Sequence, residues 1–176
     1  MKKLLLILVL LGFSAQLSAQ KEEYIVTFKN DTIYGDIKEV VNINSIYSYN
    51  AKFKIKNAKG AKKIIKPDEV QFVSLVDKSG QESFYVSISN SVFLKRVLDG
   101  RIKLYLLTDK TRYYIAKDQS GLEATCYGAP FSRKKSHLHL QEFLKDKPEI
   151  LKEFHSLKGS IKNIKYIIKK YNDTEI

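Results

Sequence analysis

The sequence has almost no cysteine. Cys126 is the single cysteine among 176 residues, so no disulfide can form within the chain and the fold must depend on its apolar core. Next to Tyr127, this cysteine is interpreted as a small buried apolar side chain. A thiol that forms a bridge between two molecules is the alternative.

Residues that carry catalysis and bind metals are also scarce. The three histidines, His137, His139 and His155, all lie near the C-terminus. His137 and His139 are two residues apart, a spacing that points side chains in different directions on a helix, so no metal site is predicted. The chain has no nucleophile elbow and no glycine-rich phosphate loop. The sequence therefore predicts no catalytic residue and no cofactor. An envelope hydrolase whose carboxylates meet only in the fold is the alternative left open.

Acidic residues are outnumbered by basic ones. The chain has 31 Lys and Arg against 19 Asp and Glu, a net charge of +12. Such a charge favours acidic partners such as lipid headgroups, lipopolysaccharide phosphates, acidic glycans or nucleic acid. A basic surface that serves only solubility is the other interpretation.

The N-terminus predicts the destination of the chain. Lys2 and Lys3 precede the apolar run "LLLILVLLGF" at 4–13, and "SAQLSAQ" follows. This is the pattern of a secretory signal peptide, predicted at 1–19 with cleavage after Ala19. The apolar run is too short for an ordinary membrane span, and no transmembrane helix is predicted in the mature chain. The protein is therefore expected to be exported, to the periplasm or in association with the outer membrane.

Residues 20–129 are predicted to form a β-rich domain. "AKFKIK" at 51–56 alternates apolar and lysine residues, as a strand with one buried face does. Asn30-Asp31, "NAKG" at 57–60 and Asp99-Gly100 supply turns. About eight to ten short strands predict an antiparallel barrel or meander.

Residues 130–176 are predicted to form a C-terminal appendage of about three helices, which makes the fold class α+β. Leu140, Phe143 and Leu144 fit one face of a helix that ends before Pro148. A second apolar stripe lies within 150–157. Ser160 can cap a third helix, whose stripe at 161–171 is interpreted as core. Contact with an anionic membrane surface is the alternative for this stripe.

The lysines around the 57–60 turn are the candidate binding residues. No acid lies among them, and like charges on one sheet cost stability, so a polyanion is one explanation. The alternative is a solvated edge that prevents aggregation between strand edges. The set consists of Lys52, Lys54, Lys56, Lys59, Lys62, Lys63 and Lys66.

Two short motifs resemble known patterns. "YIVTFKNDTIYGDI" at 24–37, with "KPDEVQFVSL" after it, is similar to parts of Sm-like and SH3-like small barrels over 24–76. The resemblance implies a strand that bends at Gly35, but no nucleic acid is expected as a partner, because an exported protein rarely meets RNA. Asp31-Thr32-Ile33 resembles the O-glycosylation acceptor of Bacteroidetes-type bacteria, which implies modification at Thr32.

Together, the signal, the opening hairpin, "FLKRVLDGRIKLYLL" and the tail "KPEILKEF…IKNIKYIIKKYN" resemble uncharacterised exported proteins of Bacteroidetes-type bacteria. In longer relatives such a segment precedes an outer-membrane β-barrel, which implies an envelope accessory role. The chain has Lys147 and Asp173 where the relatives often place cysteines. The expected function is an interaction module that docks to an envelope protein or to an anionic lipid or lipopolysaccharide surface.

Overall fold

The computed structural model describes residues 22–40, 51–57, 60–107, 112–118, 123–125 and 133–174. The predicted signal peptide at 1–19, Lys59 and Cys126 lie outside these ranges, and so does the Ala19 cleavage position. Within them the fold is α+β: antiparallel strands form a β-rich part and three helices follow it. This confirms the predicted fold class.

The strands form two antiparallel sheets. In chain order they are β1 Tyr24–Thr27, β2 Thr32–Tyr34, β3 Asp36–Val40, β4 Lys52–Lys56, β5 Lys62–Ile65, β6 Val70–Val76, β7 Glu82–Ile88, β8 Val92–Leu98, β9 Ile102–Leu107, β10 Tyr113–Lys117 and β11 Glu123–Thr125. The larger sheet has the order β11-β10-β9-β8-β7-β6-β1-β2, and the smaller sheet has the order β3-β4-β5. From β6 to β11 each strand pairs with the next, so this part of the large sheet is a meander.

Gly35 is the point at which the chain passes from the large sheet to the small one. A Cβ atom there would lie 2.7 Å from the Lys56 carbonyl oxygen and 2.9 Å from Ile55 Cγ1. Only glycine lets the two backbones come this close. The predicted bend is therefore present, and β1, β3, β4, β5 and β6 all contribute buried residues to one apolar cluster. The kinship with Sm-like barrels stays a prediction.

We expect Gly35→Ala to lower the free energy of unfolding by about 1–3 kcal/mol, because the added methyl group overlaps backbone that cannot move freely. Urea unfolding measures this loss. Gly60→Asn is the control, since Gly60 has a φ of +80° with nothing within 4 Å of an added Cβ, and asparagine tolerates positive φ. Equal losses in the two variants would contradict the close approach at Gly35.

The small sheet packs through an aromatic contact onto the large one. The Phe53 ring of β4 lies 4.8 Å from the Tyr85 ring and 5.1 Å from the Phe93 ring, both nearly edge to face. Ile37 of β3 and Ile25 of β1 are buried in the same cluster. These aromatic pairs contribute roughly 0.5–1.5 kcal/mol each beyond their burial.

Tyr85 also links the sheets through its hydroxyl group, which donates to Glu39 Oε2 at 3.4 Å. Burial, and then the nearby Glu39 carboxylate, raise the pKa of Tyr85 to about 12. The ordinary value is about 10. The stability that the neutral phenol contributes is therefore complete below about pH 10 and is lost as the pH rises through about 12.

We expect alkaline titration, followed by tyrosinate absorbance, to include a step about two pH units above that of exposed tyrosines. The Tyr85→Phe variant should lose the absorbance of one tyrosinate from this late step. A late step of unchanged amplitude in the variant would contradict its assignment to Tyr85.

The three helices are α1 Arg133–Leu144, α2 Pro148–Ser156 and α3 Ile161–Asp173. The Ser160 hydroxyl accepts from Asn163 N at 3.2 Å, which confirms the predicted cap of α3. Ile164, Ile167 and Ile168 of α3 are fully buried in one cluster with Ile102 of β9. The stripe is therefore core, and the membrane-surface alternative for α3 is wrong.

Asn172, near the end of α3, joins this helix to the β8–β9 turn. Its Oδ1 accepts from Ile102 N at 2.9 Å, and its Nδ2 donates to the carbonyl oxygens of Asp99 at 2.9 Å and Ile102 at 2.8 Å. Gly100, at φ +131°, lies directly beneath it, since a Cβ there would be 2.5 Å from the Asn172 amide. One side chain thus connects residues 70 or more positions apart.

Lys147 also holds the C-terminal end of α3 in place. Its Nζ donates to the Tyr171 carbonyl oxygen at 2.9 Å and to the Thr174 carbonyl oxygen. The ammonium also lies 4.5 Å from the centre of the Tyr171 ring. Hydrogen bonds thus hold the C-terminal end of α3 to the start of α2.

Candidate anionic-surface site on the small sheet

The outward face of the small sheet is strongly basic. Antiparallel register places the outward residues of β3 opposite those of β4, and those of β4 opposite those of β5. The charged side chains on this face are exposed, and we call them the basic face. They are Lys38, Lys52, Lys54, Lys56 and Lys62, with Asp36 as the one acid.

The position of β4 weighs against the edge-guard interpretation. β4 lies between β3 and β5, so Lys52, Lys54 and Lys56 stand on a central strand with both edges paired. Lysines that prevent edge-to-edge aggregation belong on edge strands. Lys38 on β3 and Lys62 and Lys63 on β5 meet that description, since β3 and β5 are the two edge strands. Edge protection therefore does not account for the three lysines of β4.

The register also brings like charges together. Lys38 lies opposite Lys54, and Lys56 lies opposite Lys62. Asp36 lies opposite Lys56 and forms an ion pair with Lys38 at 3.5 Å. A shallow depression of about 320 Å³ lies among these side chains. It offers several ammonium groups to one anionic ligand.

The repulsion between the paired lysines should lower the stability of the fold. We expect the double variant Lys54→Gln/Lys56→Gln to unfold at the same temperature as the wild type or up to about 2 °C higher, because two like-charge pairs are relieved. Thermal unfolding at low salt measures the shift. A clear fall in the unfolding temperature would mean that these lysines stabilise the fold.

Two of the seven lysines predicted from the sequence are placed differently. Lys63 pairs with Ile55 in register and so points to the opposite face, where its Nζ lies 3.2 Å from Glu69 Oε2. Lys66 follows β5, and its backbone N–H donates to Glu69 Oε2 at 3.4 Å. Lys59 lies outside the described residues. Lys52, Lys54, Lys56 and Lys62 are brought together.

Lys38 is the binding candidate that sequence reasoning missed. Its signal is the alternation in "DIKEV" at 36–40, where Ile37 is buried and Asp36 and Lys38 are exposed. Such a five-residue strand is a natural neighbour for "KFKIK". The sequence shows no contact between them, because 41–51 separate the two strands.

Thr32 is the first residue of β2, the edge strand of the large sheet, and is exposed. The turn before it is closed by hydrogen bonds from Thr27 N to the Asp31 carbonyl oxygen and from Asp31 N to Thr27 Oγ1, at 3.0 and 3.2 Å. An acceptor hydroxyl at such an edge is accessible. Glycosylation there stays a prediction.

A second charged cluster lies where the large sheet meets the helices, and it bears on the hydrolase alternative. Asp146 Oδ2 lies 2.8 Å from Lys117 Nζ and 3.5 Å from an Arg101 nitrogen, and it accepts from the Tyr171 hydroxyl at 2.8 Å. Burial raises the pKa of Asp146, but the hydrogen bonds from Lys117 and Tyr171 outweigh it, so that the pKa lies below its usual value. The hydrogen bonds from Arg101 to Asp118 likewise lower the pKa of that carboxyl group.

These carboxylates are held in the charged form by their partners. A catalytic acid needs a carboxyl group with a raised pKa, and neither Asp118 nor Asp146 has one. The cluster is best explained as an ion-pair network that fixes the helices to the sheet.

Within the described parts of the chain, no group of three or more His, Cys, Asp or Glu is arranged to hold a metal ion. The His137 ring packs 5.3 Å from the Phe154 ring, and His155 Nδ1 lies 3.3 Å from Gln141 Nε2. Across the same residues, no helix combines the length and apolar character that a membrane crossing needs.

Comparison of the chain with protein-family models, with curated proteins and with solved structures gives no match. The site must therefore be interpreted from its own geometry.

Proposed function

We propose that this protein is an exported module of the cell envelope that docks to an anionic, phosphate-bearing lipid surface through the basic face. The central position of β4 carries the proposal. Three lysines in a row on a paired central strand, with Lys38 and Lys62 on both sides, form a two-dimensional array of positive charge. An array of this shape complements a charged plane.

The chemistry of the basic face fits phosphate without requiring a shaped pocket. Lysine ammonium groups are mobile point charges, which suit diffuse electrostatic contact better than bidentate recognition. Each lysine near an anionic membrane surface contributes roughly 1 kcal/mol to binding. The like-charge repulsion within the basic face would be relieved on binding.

The predicted export supports the same target. The predicted signal peptide at 1–19 would deliver the chain to a compartment bounded by anionic lipid and lipopolysaccharide, and the accessory role that the resemblance implies belongs there too. An acidic envelope protein could dock to the same face. The vesicle experiment separates docking to lipid from docking to such a protein.

Co-sedimentation with vesicles of phosphatidylethanolamine and phosphatidylglycerol tests the proposal. The protein is produced from the full-length sequence, so that any export signal is processed naturally. We expect binding at low salt that weakens steadily with rising salt, because surface electrostatics are screened within about a Debye length. Vesicles of phosphatidylcholine, which have no net charge, are the control.

Equal binding to both vesicle types, or no binding to the anionic ones at low salt, would overturn the proposal. The search would then turn to an acidic protein partner of the basic face.

A further inference from the structure

An apolar groove opens beside the basic face, between β5 of the small sheet and the strands β1 and β2 of the large one. Its volume is about 280 Å³. Ile25, Ile33, Ile55, Ile65 and Val70 form its walls. Ile33, on the edge strand β2, is 43% exposed although it stands on the same face as the buried Ile25. The groove thus exposes part of the apolar cluster between the sheets.

The lining of the groove indicates what it can hold. The walls are aliphatic, and none of the described lining residues has an aromatic ring. The polar side chains that line the groove are Thr27, Asn57, Lys62, Lys63 and Glu69, and Lys63 forms an ion pair with Glu69. The isoleucine walls offer a sugar or a planar heterocycle neither hydrogen bonds nor a ring to stack on. A flexible alkyl chain needs neither.

The charged side chains beside the groove indicate what the other end of the ligand would be. Lys62 lines both the apolar groove and the basic depression, and Lys63 stands at the groove beside Glu69. An apolar chain in the groove would therefore end next to Lys62, at the border of the basic face. The two cavities together match an amphiphile with an anionic head.

We propose that the groove binds one alkyl chain of an anionic membrane lipid while Lys62 and the basic face hold its headgroup. This inference rests on the proposed function, since the headgroup occupies the same basic face. Each buried methylene should strengthen binding about fourfold. The volume, just below the range of about 300–1,000 Å³ for small-molecule sites, admits one chain.

Dodecanoate below its critical micelle concentration is the probe for the groove, measured by calorimetry on the protein prepared as above. We expect dodecanoate to bind, and decanoate and octanoate to bind progressively more weakly. Dodecyltrimethylammonium has the same chain with a positive head and should not bind. No binding of dodecanoate, or equal binding of the cationic amphiphile, would overturn the proposal.

Two variants locate the site. Ile33→Asp places a carboxylate in the groove, and Ala61→Phe fills it from the exposed end of the β4–β5 turn. We expect each to weaken dodecanoate binding by about tenfold or more. Leu138→Asp is the matched control, because Leu138 of α1 is 53% exposed and lies outside the groove. Circular dichroism confirms folding, and unchanged binding in both folded groove variants would overturn the assignment.

Vesicles distinguish a membrane lipid from a free amphiphile. Wild-type binding to the anionic vesicles should retain a part that high salt does not remove, and Ile33→Asp should abolish that part. If Ile33→Asp leaves vesicle binding unchanged, the assignment to a membrane lipid is overturned. Dodecanoate binding without vesicle binding would contradict the surface proposal, whereas salt-sensitive vesicle binding without dodecanoate binding would contradict the groove alone.

Discussion

We expect the variant with all five lysines of the basic face replaced by glutamine to bind anionic vesicles on the order of 10³-fold more weakly than the wild type, at about fivefold per lysine. The substitutions are at Lys38, Lys52, Lys54, Lys56 and Lys62. Co-sedimentation at low salt measures the loss. The variant should stay folded, because these side chains are exposed and their mutual repulsion is removed.

A control variant with the same change in net charge tests whether binding depends on where the lysines lie. Lys78, Lys145, Lys152, Lys158 and Lys162 are exposed and lie outside the small sheet. Replacing these five with glutamine should weaken binding far less. Asp36→Asn should strengthen binding about fivefold, since it removes the one acid of the basic face. Equal losses in the two five-lysine variants would show that net charge alone drives binding.

The second large effect concerns stability. We expect Asn172→Ala to lower the free energy of unfolding by about 2–3 kcal/mol, because three hydrogen bonds between α3 and the β8–β9 turn are lost together. The Ile102 N–H and carbonyl groups are partly buried, and removal of their partner leaves them poorly solvated. Urea unfolding followed by circular dichroism gives the value.

Asn163→Ala is the matched control within the same helix. The Asn163 side chain donates to the Lys158 carbonyl oxygen at 2.8 Å, five residues away, so this hydrogen bond is local to the start of α3. Its loss should cost about 1 kcal/mol or less. Comparable effects at the two positions would contradict the role of Asn172 as the link between helix and sheet.

Local patterns in the sequence determined much of the fold. Alternation in "AKFKIK" predicted which side of β4 is buried, and Phe53 and Ile55 are indeed core. Asp99-Gly100 predicted the β8–β9 hairpin, and Ser160 with the isoleucines after it predicted α3. These features depend on neighbours within a few residues, where backbone preferences and side-chain periodicity act directly.

Contacts between distant residues could not be predicted in the same way. Lysine spacing alone placed Lys63 with the candidate set, but the β4–β5 register turns it to the inner face beside Glu69. Lys38 joins the basic face only because β3 pairs with β4. The sequence around Asn172 does not indicate that its side chain binds Ile102, because local patterns carry no information about contacts with a distant turn.

By itself, the sequence determined strands, turns, helices and an excess of positive charge, because each follows from short-range preferences and composition. Only the tertiary structure decided where the charge collects and where the apolar groove opens. The physical reason is that both depend on how the two sheets, which join at Gly35, pack against each other around Phe53. This packing brings together residues that are far apart in the sequence, and local periodicity does not encode such contacts.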